Sequence, residues 1–372
     1  MEENQKHILP EKKNSVPDPL PEKTSPEKAV LPPEGSLLLS PSPHIRTGDS
    51  SGAIMLKVML CLLPAVWASV FFFGWNALRV IVLCMGSCAA LEYCWCRILK
   101  QPSTVRDMSA LLTGLLLALN LPASLPWYWC VTGSFFAVIV AKAVFGGLGQ
   151  NPFNPAAVGR VALLIGAAKP MTSSLKMSRP FMGMDGVTSA TPLTAAAMAA
   201  SREQSLELFD SSGYLWNAFW GNVGGALGET SAFALLIGAV FLVGLKLIKL
   251  YIPLAILLTV TVFVWLVNTL SPGTTPGVLF HLLSGGLLLG TFFMATDYVT
   301  SPVTHLGGVV YGIGIGVIVC VIRIWGAYPE GMSFAIIIMN ALVPLIDKLC
   351  FKRPFGWNPP PTAFQARRGE IR

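Results

Sequence analysis

The hydroxyls of the stretch DGVTSATPLT, residues 185–194, stand out for their setting: Thr188, Ser189, Thr191 and Thr194 lie among small side chains between hydrophobic segments. A hydroxyl can carry a phosphoryl group as an ester if its surroundings stabilise the phosphate charge. Thr191 precedes Pro192, and residues 193–209 are Ala-rich and helix-prone, so Thr191 reads as an N-cap with Pro at the first helical position. A phosphate esterified there would face backbone N–H groups and the positive end of the helix dipole. An ordinary capped helix start has the same pattern, so the spacing permits this chemistry without requiring it.

A second candidate is GGLGQNPFNPAAVGR, residues 146–160, in which Asn154-Pro155 again signals a helix start. Its amide groups and dipole would face a cavity and suit an electron-rich ligand. Asn154-Pro155-Ala156 also spells the aquaporin box, but that family needs two such boxes and this chain has one. Ionisable groups at membrane depth are costly and often mark ion paths. Asp297 in FFMATDYVTSP, Asp347 in NALVPLIDK and Glu92 are therefore candidates for cation handling, with Glu330 at a segment end. The competing reading places Asp297 and Asp347 at the membrane interface, where a carboxylate merely ends a helix. Eight cysteines fall in or beside apolar runs without CxxC spacing and read as small buried hydrophobes. Cys84 and Cys88 share a helix face, yet no metal site is expected there. GIGIG, residues 312–316, has no preceding strand and reads as close helix packing rather than a phosphate loop.

These residues must be positioned by membrane helices. Of the 372 residues, 53% are hydrophobic and 12% charged, with a mean hydropathy of +0.62; soluble domains carry about 25% charged residues. The reading is an all-α polytopic membrane protein, in which the net charge of +7 reflects basic loops rather than a nucleic-acid partner. Apolar runs at 58–74, 77–93, 108–121, 127–145, 156–168, 231–248, 250–270, 277–296, 306–324 and 331–346 give ten spans. Residues 1–50, rich in Pro, Lys, Glu and Ser, have no signal-peptide core and read as a disordered cytoplasmic tail; 351–372 form a second tail.

With the N-terminus inside, the cytoplasmic face receives the basic N-terminal tail, the turns at Arg97, Lys100, Arg106 and at Lys246, Lys249, and the basic C-terminus. Arg79 and Arg323 depart from this pattern. The segment 169–230, which contains Thr191, then lies outside the cytoplasm. The runs at 108–121 and 156–168 fall short of the ~20 residues needed to cross a bilayer and suggest broken helices. LLTGLLLAL (111–119) echoes LLSGGLLLG (282–290), five spans apart, as two inverted five-helix repeats would.

DGVTSAT resembles the Asp-x-x-[Ser/Thr]-[Gly/Ser]-Ala-Thr signal for covalent FMN attachment in the NqrB/RnfD family, the membrane flavoproteins of the Rnf and Na+-translocating NADH:quinone reductase complexes. SPSPHIR (40–46), GGLGQNPFNPAAVGR, MATDYVTSPVT (294–304) and YPEGMSFAIIIMNALVPLID (328–347) match in the same order, from about residue 40 to 356. SPSPHIR and the Ser-Pro-Val-Thr after Asp297 favour the Rnf branch of that family over the quinone reductase branch, NqrB.

The resemblance implies that Thr191 takes FMN as a phosphodiester, installed by a flavin transferase. Asp185 and Thr188 would serve transferase recognition, Ser189 would replace the usual Gly, and Ala190 completes the motif. It further implies a second, non-covalent flavin such as riboflavin, for which Asn151, Asn154 and Arg160 are the candidate residues. The expected partners are the other Rnf complex subunits (A, B, C, E and G), the transferase and membrane lipid, with no nucleic acid. The expected setting is a bacterial or archaeal inner (cytoplasmic) membrane, with both termini inside. The activity would be electron transfer between ferredoxin and NAD+ coupled to Na+ or H+ translocation, by a subunit inactive alone. A passive channel of the urea-transporter type is the rival from another class.

Overall fold

The computed structural model describes residues 50–100, 104–177, 186–202, 205–326, 328 and 330–351, and of 173–177 and 186–190 the backbone alone. The tails except Ser50 and Phe351, the SPSPHIR stretch and Asp185 lie outside the described residues.

The apolar runs each become helix. They are α1 (Ser51–Phe73), α2 (Trp75–Ile98), α3 (Ser109–Leu119), α4 (Trp127–Phe135, continued as a π-helix over Phe136–Ala143), α5 (Pro155–Gly166) and, after the segment that carries Thr191, five more. That intervening segment holds α6 (Ala168–Thr172), strands β1 (Ser173–Met177) and β2 (Gly186–Ala190), α7 (Pro192–Ser201), α8 (Glu207–Asp210) and α9 (Ser212–Trp220). Then come α10 (Ala232–Gly244), α11 (Tyr251–Leu270), the broken run α12 (Val278–Leu283) and α13 (Leu287–Leu289, continued as a π-helix over Gly290–Met294), α14 (His305–Trp325) and α15 (Met332–Leu349).

By length and composition α1, α2, α11, α14 and α15 can each cross a membrane. The protein is a multi-pass membrane protein. At 1.5 Å per residue, α3 and α5 are only about 16 and 18 Å long, against a hydrocarbon core of about 30 Å, so the two short runs are short helices. The eighth run breaks outright. Ser284 is extended (ψ 145°) and Gly285 adopts φ +70°, a left-handed conformation that an L side chain resists. The echoed stretch in α3 stays helical through Thr113-Gly114. Likeness of letters thus conceals unlike backbones, because only the later copy has two successive glycines.

Neighbour relations repeat between the two sets of five. The α2–α4 packing is matched by α11–α14, and α4–α5 by α14–α15, while α1–α10 and α5–α15 join corresponding members. Gly312 and Gly316 bring α14 against α11: a methyl group added at either would stand 2.7 Å from the β-carbon of Ala255 or Thr259. GIGIG is therefore a packing seam.

The segment between α5 and α10 adds one short hairpin to the all-α fold. β1 and β2 form an antiparallel hairpin, Ser173 opposite Ala190 and Met177 opposite Gly186, whose second strand runs straight into the cap of α7. Five residues that include Val187 and Thr188 suit a pleated pairing and are too few to show periodicity. The helix expected over 193–209 ends at Ser201, and Phe209 folds back with Leu193, Ala196, Ala199, Leu206 and Phe280 into a small core of its own.

Candidate functional site

Thr191 is the N-cap of α7: its φ and ψ are −63° and 154°, and Pro192 fills the first helical position. Its Oγ1 accepts the Thr194 N–H at 3.3 Å and lies 2.7 Å from the Thr194 hydroxyl. Only 6% of Thr191 is exposed, and it faces a small cavity bounded by Leu164, Met171, Thr172, Tyr328 and Glu330. Thr188, Ser189 and Ala190 lie on β2, immediately before the cap.

At the other end of α5 lies a larger cavity. Asn154 caps this helix, its Oδ1 accepting from Ala156 and Ala157 N–H at 3.1 and 3.3 Å, while its Nδ2 donates to Met294 O at 3.0 Å. The Asn340 amide, oriented to satisfy both partners, accepts the Asn154 N–H at 3.0 Å and donates to the Tyr311 hydroxyl at 2.6 Å. The cavity is lined by Asn151, Asn154, Asp297 and Lys142, with walls that include Leu116, Phe292 and Phe293. Asn151 Oδ1 is buried and has no partner among the described residues. Both π-helical stretches reach this cavity, one supplying Lys142 and the other Phe292 and Phe293. π-helical turns concentrate at functional sites. The helix α5 thus spans the two cavities, from Ala156 at one to Leu164 at the other, about 12 Å of helix.

Arg160 does not join Asn151 and Asn154. It points toward the Thr191 end, where it is 2% exposed, pairs with Glu229 at 2.7 Å and with Glu330, and donates to Asn120 Oδ1 at 2.5 Å. A guanidinium inside a membrane protein is stabilised by carboxylates, and these two hold it there. Glu229 also faces the break in the eighth run, its Oε1 lying 2.9 Å from where a Gly286 β-carbon would stand. Arg323 closes the other side, donating to His281 O at 2.7 Å and Ser284 O at 3.0 Å. The carboxylate meets the amino end of one half-helix and the guanidinium the carboxyl end of the other, each the favourable sign for the helix dipole.

The acidic candidates separate. Asp297 is half-buried on the cavity at the amino end of α5, accepting from Thr300 Oγ1 at 3.3 Å. Asp347, near the end of α15, accepts the Val303 N–H at 3.1 Å, so both border the 297–304 loop. Glu92 is 4% exposed and paired with Lys142 at 2.7 Å. Cys84 and Cys88 are buried in α2. Inspection of acidic residues alone misses Lys142, Glu229 and the roles of Arg160 and Arg323. A lysine inside the apolar run 127–145 is the available signal.

The NQR2, RnfD, RnfE family model matches residues 38–356. The chain is 42% identical over 325 residues, 87% of its length and 96% of the relative's, to the D subunit of the Na+-translocating ferredoxin:NAD+ oxidoreductase complex of Acetobacterium woodii. It is 41% identical over 319 residues, 86% and 96% of the two lengths, to the D subunit of the proton-translocating ferredoxin:NAD+ oxidoreductase complex of Clostridium ljungdahlii. It is 43% identical over 335 residues, 83% and 93%, to the D subunit of the ion-translocating oxidoreductase complex of Stutzerimonas stutzeri. With the match covering the whole bundle, this chain belongs to the NQR2, RnfD, RnfE family.

Proposed function

We propose that the chain is the D-type subunit of a membrane complex that couples electron transfer between ferredoxin and NAD+ to translocation of Na+ or H+, and that it carries FMN as a phosphodiester on Thr191. The names of the relatives favour that electron-transfer role over quinone reduction or passive conduction. The cofactor assignment is carried by one observation: the DGVTSAT stretch ends in a hydroxyl that caps α7. The residues fit such a group. The first turn of α7 offers the Leu193 N–H to an anion, with the Thr194 N–H held on Thr191 Oγ1 itself, and Pro192 keeps its backbone at helical φ. FMN held there supplies one- and two-electron transfer through its ring. Because Thr191 is 6% exposed, the β2–α7 junction must open for a transferase to reach it.

The cavity at the amino end of α5 is the proposed seat of a non-covalent flavin such as riboflavin. Phe292, Phe293 and Leu116 offer an apolar slot, and the unpartnered Asn151 Oδ1 offers an acceptor to a polar ring edge. Asp297 and Asp347 are proposed members of a cation path around the 297–304 loop. The protein would lie in the cytoplasmic membrane with both termini inside and Thr191 outside, beside the other Rnf subunits. The test is intact mass of protein made with its flavin transferase: an FMN-sized increment that disappears in Thr191→Ala is expected. No increment, or one that survives that substitution, overturns the assignment.

A further inference from the structure

Lys142 Nζ lies 2.7 Å from Glu92 Oε2 and 2.7 Å from Ser109 Oγ, and the second carboxylate oxygen of Glu92 accepts from Thr104 Oγ1 at 2.5 Å. Glu92, Lys142 and Ser109 are all at least nine-tenths buried, whereas Thr104 is exposed at the end of the bundle that bears Arg97, Lys100 and Arg106. The ammonium therefore sits on two oxygen acceptors, the Glu92–Ser109 cage, where a small cation can take its place, and Glu92 reaches the exposed Thr104 through its other oxygen. Lys142 and Ser109 also line the cavity at the amino end of α5. Lys142 sits on a π-helical stretch, a backbone form that concentrates at functional sites.

We propose that Lys142 is a charge switch shared between that cavity and the Glu92–Ser109 cage, so that negative charge arriving in the cavity draws the ammonium away and lets a Na+ or H+ from the Thr104 side take its place on Glu92. This rests on the proposed flavin occupying the cavity. Electrons come from the complex's own donor, and each negative charge added to the ring is matched by one cation entering the cage, so charge balances without further reactants. A tethered ammonium and a mobile cation cannot both fill one buried site, which makes uptake conditional on reduction. Asp297 faces the cavity as well. Its carboxylate pulls the ammonium in the same direction as a reduced ring does, so the charge added on reduction completes a bias already present. Lys142 is thus a positioning residue for the cation, tied to reduction through electrostatics alone.

The test uses the whole flavin-loaded complex and follows the midpoint potential of the non-covalent flavin against Na+ concentration and against pH. For one cation per electron the wild-type potential rises by about 59 mV per tenfold increase in the coupling ion, and Lys142→Arg keeps a slope. Lys142→Met loses the slope and binds 22Na+, or an extra proton, already in the oxidised complex; Glu92→Gln loses both slope and binding. Should Lys142→Met fail to assemble, the neutral pair Lys142→Met/Glu92→Gln serves, with slope and binding both absent. A slope retained in either Met variant, or a wild-type potential indifferent to both ions, overturns the switch. A wild-type complex that releases no flavin on denaturation instead overturns the cavity assignment on which the switch depends.

Discussion

Arg160 on α5 holds Glu229 at 2.7 Å, and Glu229 in turn faces the break between α12 and α13. One buried side chain therefore ties the helix joining the two cavities to the discontinuous helix, and through Glu330 to the wall of the Thr191 cavity. Removing one partner of such a cluster leaves charge buried and unpaired, at a cost of about 3–5 kcal/mol. Arg160→Leu is expected to lower the melting temperature of the detergent-solubilised complex steeply, whereas the triple replacement Arg160→Leu/Glu229→Gln/Glu330→Gln, which removes the unpaired charges, recovers much of the loss. A melting temperature unchanged in Arg160→Leu would show that the cluster contributes nothing to stability.

The α11–α14 seam makes a contrast between glycines. Gly316 has Thr259 atoms where its β-carbon would stand, while nothing lies within 4 Å of that position at Gly86 on α2. Gly316→Leu is expected to cost at least the 1–3 kcal/mol typical of overpacking and to lower the yield of assembled protein. Gly86→Ala is expected to be neutral or to stabilise by up to about 1 kcal/mol. Thermal melts of the two variants side by side decide the matter, and equal effects would contradict the close approach.

The proposed flavin ester gives Thr191 a role separable from its cap of α7. As a cap it is replaceable by Asn, which accepts the same N–H bond, whereas Ala loses about 1 kcal/mol; as an ester-forming hydroxyl it is replaceable only by Ser. Thr191→Ser is therefore expected to keep covalent flavin fluorescence on a denaturing gel, Thr191→Asn to keep stability without fluorescence, and Thr191→Ala to lose both. Fluorescence in Thr191→Asn would place the attachment at another residue.

How much of this is legible in the sequence depends on the range of the interactions. The two caps, Asn154 and Thr191, are legible because capping is local: an acceptor, a Pro and a helix-prone stretch are contiguous in sequence. The short α3 and α5 are legible from run length. The hairpin that precedes Thr191 is not, since five-residue strands leave no periodic signature. Nearness in sequence suggests that Arg160 shares a site with Asn151, yet six residues past the Asn154 cap its side chain meets Glu229 and Glu330, which arrive from distant segments. Lys142 escapes a reading by motif because its partner Glu92 lies fifty residues away, a separation that no sequence motif records.

The cavity at the amino end of α5 can be closed without touching its polar residues. Leu112 on α3 lines it and is neither an ion-pair partner nor a cap, so Leu112→Trp adds bulk into the space where a ring would lie. The expected outcome is loss of the flavin released by denaturation, with the flavin proposed on Thr191 retained, because Thr191 lies at the opposite end of α5. Asn154→Ala acts differently, removing the cap of α5 for about 1 kcal/mol and the bond to Met294 O, and is expected to weaken flavin retention only in part. Quantifying released and gel-bound flavin in the same preparations separates the two sites: loss of both from Leu112→Trp would mean that the cavities are not independent, and full retention of released flavin would place its site elsewhere in the complex.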